Sequence, residues 1–167
     1  MKNDIKSKLD TAFAKLEEAQ RDAAEEKAVA ETKAEAFRKR FLDVRESMIR
    51  PAMEEIGQYI RSKGYDFDIT ASDGDKNGAA SIKLTIIEGP RSGFYRPGAN
   101  PTLPGLSVHC LSEKQVVGFH ENTIGNYGGH ASGAGEFTLE QLTKDLVQDK
   151  VANVLAEMLS ARTRARG

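Results

Sequence analysis

The chain has 167 residues, enough for one domain or for one small domain with an appendage. Its 24 Lys and Arg nearly balance 25 Asp and Glu, so no global field draws it to nucleic acid or anionic lipid, and any such binding must come from a local patch. A single cysteine, Cys110, excludes an internal disulfide and a thiolate zinc cluster and suits a reducing compartment.

Charged residues interrupt the apolar positions Ile5 and Leu9, so the N-terminus does not read as a secretory signal. No stretch approaches the ~18 apolar residues a membrane span requires. The expected location is cytoplasmic, with no membrane partner.

Residues 3 to 50 contain no Gly or Pro and are dominated by strong helix formers, which predicts one long charged helix. Leu9, Phe13 and Leu16 near its start, and Phe37, Phe41, Val44 and Met48 near its end, recur at helical spacing as apolar stripes. Between them stand mainly Ala and Val29, a thin seam that buries little area. Isolated helices are marginal in water, so these stripes are read as oligomerisation positions of a coiled-coil arm over residues 1–50. Pro51 should kink or break the helix, and a second one should run over 51–63 to a left-handed stop at Gly64. Residues 51–167 are read as a small α+β domain.

From Tyr65 the period becomes two. Phe67, Ile69 and Ala71 alternate with Asp66, Asp68 and Thr70, and Ile82, Leu84 and Ile86 alternate with Ser81, Lys83 and Thr85, predicting a hairpin. The intervening Asp73-x-Asp75-x-Asn77-Gly78 matches half of a calcium loop, but Leu84 stands where a bidentate Glu belongs and strands flank it, so a polar turn explains it better. Residues 89–105 carry four of the five prolines and read as a loop. Within it, Arg91, Phe94, Tyr95 and Arg96 mix cations with aromatics and form a candidate partner-binding cluster.

Leu106, Val108 and Cys110 alternate on a third strand, and Val117 and Phe119 on a fourth. A turn at Glu113 and Lys114 sets Cys110 against Val117 and Val108 against Phe119, keeping the apolar faces together. Gly125 to Gly135 reads as a glycine-rich loop. Thr138 with Gln141 forms a capping box, with Phe137 placed to staple onto Leu142, and predicts the start of a C-terminal helix. The expected fold is therefore α+β: a long N-terminal helix, a four-stranded antiparallel sheet of two hairpins, and a C-terminal helix covering one face beside the 51–63 helix.

The register places His109 and His120 on the uncovered face as diagonal neighbours, able to share a metal ion or to act as acid and base, with His130 or Glu121 as a further ligand. Two solvated surface histidines are the plainer account. Cys110, on the covered side, reads as core. Arg162, Arg164 and Arg166 suit a helix C-terminus, and neighbouring acids offset most of the nucleic-acid signal they carry with Arg91 and Arg96. No motif requires a cofactor. Three functions are carried forward: a non-enzymatic, homo-oligomeric assembly protein presenting its α+β domain to a protein partner; a small metal-dependent or acid–base enzyme using His109 and His120; and a nucleic-acid accessory protein.

Overall fold

The computed structural model describes residues 3–75, 79–88, 103–124 and 129–164. Helix α1 (Asn3–Val44) opens into a π-helical turn at Arg45–Ile49, and helix α2 (Arg50–Ser62) follows. A meander of five antiparallel strands comes next, β1 (Tyr65–Ser72), β2 (Ser81–Glu88), β3 (Gly105–Leu111), β4 (Val116–Asn122) and β5 (Ala131–Phe137), in the spatial order β1-β2-β3-β4-β5. Helix α3 (Lys144–Arg164) closes the chain of elements.

The interruption expected at Pro51 begins one turn earlier. Pro51 has no N–H for the ladder and stands in the first turn of α2, and the Arg50 N–H reaches back five residues to the Arg45 carbonyl instead of four. The widened turn buries Ile49 and Arg45 together. Arg45 donates to the Ser72 carbonyl (3.0 Å), to Asp73 Oδ1 (2.7 Å) and to Glu46 Oε1 (2.7 Å), which pins the helix junction to the mouth of the β1–β2 hairpin. Asp73, the first position of the half calcium loop, is thereby held by a guanidinium; residues 76–78 of that loop lie outside the described residues.

One face of the sheet is covered. Ile82, Leu84, Ile86, Leu106, Val108, Cys110, Val117 and Phe119 pack with Met53 and Ile60 of α2 and with Val147, Val151, Val154 and Met158 of α3. Helix α2 comes so close to β1 that a methyl on Gly57 would lie 2.5 Å from the Phe67 ring. Glu55 and Lys144 form an ion pair between α2 and α3, and Gln148 donates to the Ala52 carbonyl (3.4 Å). Phe37 and Phe41 from the end of α1 complete the core, with Val44 and Met48 packed against it.

Two expectations are corrected. The sheet has five strands, not four: Ala131–Phe137, whose first five residues fall in the stretch read as a glycine-rich loop, pairs with β4. Its first five residues, Ala131 to Gly135, are too small to show apolar alternation, and the pairing with β4 shifts register between Gly118 and His120. The second correction concerns the C-terminal helix. The Thr138–Gln141 capping box exists, but it closes a short 3-10 turn at Leu139–Gln141. Helix α3 begins at Lys144, where Thr143 Oγ1 accepts the Leu146 N–H (3.1 Å) as an N-cap does. Phe137 turns to Phe119, edge to face at 5.3 Å.

Candidate functional site

Two surfaces stand out, and the first is the uncovered face of the sheet. Three rows cross it. Thr70, Lys83, Ser107, His120 and Gly133 form the central row; Ser72, Ser81, His109, Gly118 and Glu136 form the second; Asp68, Thr85, Gly105, Asn122 and Ala131 form the third. Cys110 pairs with Val117 and Val108 with Phe119, the register that the alternation of β3 and β4 predicts. It follows that His109, opposite Gly118, is diagonal to His120 on the same face.

His109 is half-buried, and that burial, with the nearby His120, pushes its pKa below the usual imidazole value. A neutral ring that resists protonation is a good metal ligand. His120 is exposed. Lys83 lies half-buried one strand beyond Ser107, so cations, imidazoles and hydroxyls dominate the middle of the face. Glu136, in the second row, is paired with Lys114 at 3.0 Å.

The structure does not bring the third histidine to this pair. His130 precedes β5, where its N–H is accepted by Thr123 Oγ1 (2.9 Å) and its carbonyl accepts the Thr123 N–H (2.8 Å), closing the base of the β4–β5 connection. Glu121 points to the covered side and faces Lys150 of α3 at 3.7 Å. Among the described residues, no three His, Cys, Asp or Glu side chains gather as a metal site. Cys110 is buried, and burial pushes its thiol pKa up, which makes it a core residue and a poor nucleophile. Arg91, Phe94, Tyr95 and Arg96 lie outside the described residues.

The second surface is α1. Its 42 residues extend about 63 Å at the α-helical rise, and the expected apolar stripe divides in two. Phe37 and Phe41 are buried in the chain's own core, and Val44 and Met48 pack half-buried against it, so this end of the stripe serves the chain itself. Ile5, Leu9, Phe13 and Leu16 remain 49, 45, 60 and 52 % exposed. Every described side chain from Ile5 to Lys33 is exposed. Beyond that exposed stripe, Asp22, Glu25, Glu26, Val29, Ala30 and Lys33 border an open cleft of about 590 Å³ whose other wall is the β3–β4 turn at Glu113 and Gln115.

Sequence reasoning misses Arg45 and Gly57. The partners of Arg45 lie 27 and 28 residues away, and a helical glycine reads as a weakness until Phe67 is seen above it. The alternation of β2 does place Lys83 outward, but nothing in it marks the residue as half-buried. No helix among the described residues is long and apolar enough to cross a membrane. Compared with models of known protein families, with curated proteins and with solved structures, the chain matches none.

Proposed function

We propose that this is a non-enzymatic assembly protein that self-associates through the first half of α1 and holds its α+β body out to a protein partner. The observation that carries it is the exposed stripe Ile5, Leu9, Phe13 and Leu16 on a helix that no other described element covers there. A lone helix gains little from propensity, and most helical stability in proteins comes from packing an apolar face. Covering the exposed half of each of these side chains is worth roughly 1 kcal/mol, given ~1.5 to 3 kcal/mol for a full Leu or Phe. A dimer covers two such stripes at once.

Sedimentation of the full chain over a wide concentration range tests this. Self-association is expected, and the combined substitution of Leu9→Glu, Phe13→Glu and Leu16→Glu should abolish it while leaving urea unfolding of the body unchanged. A monomer at every concentration that keeps the full helical signal would refute the proposal.

A second reading is favoured by the diagonal placement of His109 and His120: metal-assisted or acid–base chemistry on the open face. It requires transition metal retained by the purified chain at stoichiometric level and lost on changing both histidines to Ala. Metal at trace level would leave that reading without support.

A further inference from the structure

Resting on the self-association just proposed, we infer that the second copy lies antiparallel to α1, with the two-fold axis beside Ala14 and each large side chain of the seam set against an alanine. The residues of α1 at alternating spacings of four and three are Ile5, Leu9, Ala12, Leu16, Ala19 and Ala23. Three are large and three are small. An antiparallel pair centred at Ala14 brings Ile5 to Ala23 of the second copy, Leu9 to its Ala19, and Ala12 to its Leu16. Every layer then combines one large and one small residue, and the interaxial distance stays constant along the seam, near the ~8 Å end of the usual range. A parallel pair instead sets Ile5 on Ile5 and Leu9 on Leu9 but leaves Ala12, Ala19 and Ala23 facing their own copies across gaps. Such uneven layers forfeit the close contacts on which packing depends.

Charge selects the same direction. Residues 5–16 carry three lysines, Lys6, Lys8 and Lys15, against Asp10 alone. Residues 17–23 carry three acids, Glu17, Glu18 and Asp22, against Arg21 alone. Antiparallel helices place the basic stretch of each copy beside the acidic stretch of the other, whereas parallel ones align like with like. Phe13, the most exposed of the four large residues, flanks the seam next to the axis, where it meets Phe13 of the second copy.

The body limits the overlap. Past Ala23 the seam continues through Glu26, Ala30 and Lys33, and these border the cleft against Glu113 and Gln115. A helix shifted further along α1 would have to enter that cleft, whereas an overlap that ends at Ala23 keeps the second copy short of it. The two α+β bodies then sit at opposite ends of the pair, with their open sheet faces independent of the contact.

Cysteine crosslinking of the full chain tests orientation and register together. The variants Ile5→Cys and Ala23→Cys are each made, mixed in equal amounts and oxidised gently, with sedimentation of the same samples run in parallel. Both substitutions fall on the exposed arm, and the buried Cys110 makes the unsubstituted chain a silent control. The expected product is the mixed dimer, in which a chain carrying Ile5→Cys is joined to one carrying Ala23→Cys. It should exceed either homodimer by at least ~10-fold, because a disulfide needs Cα atoms within about 7 Å. Homodimers of each variant would overturn the arrangement in favour of a parallel pair. A dimer in sedimentation with no crosslink would overturn the register. A chain that sediments as a monomer throughout would instead remove the self-association on which the inference rests.

Discussion

The two halves of α1 share a secondary structure and a charged, alanine-rich composition, yet they have opposite surroundings. From Phe37 onward the helix is part of the core, and Phe41 is fully buried. From Ile5 to Lys33 it stands in solvent. The stripes at the two ends look alike in sequence because spacing records only which face of a helix is apolar. What distinguishes them is the distance to the sheet: only the last turns of α1 reach the core, and α2 takes over from them beyond the π-helical turn. An apolar stripe thus identifies a contact without naming the partner, which is the chain itself for Phe37 and Phe41.

The sharpest way to break this contrast is to truncate one phenylalanine in each half. Phe41→Ala should destabilise the body by about 3 to 5 kcal/mol, the usual cost of emptying a buried aromatic site. Phe13→Ala should leave the unfolding free energy of the body within about 0.5 kcal/mol of the original and alter only association. Urea denaturation of both variants, read by a probe in the sheet, decides the matter. Equal losses would mean that the arm contributes to the body after all.

The junction between the halves gives a smaller effect. Arg45→Met keeps the apolar stem but removes the bonds to the Ser72 carbonyl and to Asp73. Asp73 and Glu46 remain largely hydrated, so the loss is that of charge-assisted hydrogen bonds, about 1.5 to 3 kcal/mol, without the larger cost of a stranded buried charge. Amide exchange should quicken at the Ser72 and Ser81 end of the β1–β2 hairpin more than elsewhere.

A matched pair of glycine and alanine changes sharpens the comparison further. Gly57→Ala gains about 1 kcal/mol of helix propensity but presses a methyl into the Phe67 ring, an overpacking cost of roughly 1 to 3 kcal/mol, so the net result is a loss of order 1 kcal/mol. In the arm the sign follows propensity alone: Ala28→Gly should cost helicity, as circular dichroism reads it, with no change in the body's unfolding midpoint. A stabilised Gly57→Ala variant would show that α2 can retreat from β1.

How much of this is legible in the sequence follows the range of the interactions. The register of β3 and β4 can be read because alternation and a short turn are both local, and it alone carries His109 and His120 to one face. The fifth strand cannot, since Ala131, Ser132, Gly133, Ala134 and Gly135 show no apolar period and owe their conformation to β4. The capping box at Thr138 is a sound turn-forming signal, yet what it opens is decided by Leu142, whose extended backbone stops the 3-10 turn before Thr143 starts α3. Arg45 is invisible for the opposite reason: everything that gives it meaning is brought from the far hairpin.

The smallest effect lies on the open face and is a dependence on pH. His109 binds its proton less readily in the folded chain than in the unfolded one, because half-burial and His120 disfavour the charged ring. Its contribution to stability is therefore complete above the unfolded value near 6.5 and is lost progressively as pH falls through the lower folded value. The ion-paired carboxylates act in a more acidic window. Arg50 and Arg45 beside Glu46, Lys144 beside Glu55, Arg61 beside Asp66 and Arg40 beside Glu140 all hold these groups below the usual carboxylate range, so their contribution persists above about pH 4.5 and disappears only as they protonate. Unfolding midpoints measured from pH 7.5 to 5 should decline for the unaltered chain and flatten for His109→Gln. Below pH 4 the two curves should fall in parallel. A slope between pH 7.5 and 5 that survives His109→Gln would assign the titration to another group and remove the evidence that the open face disfavours a charged imidazole there.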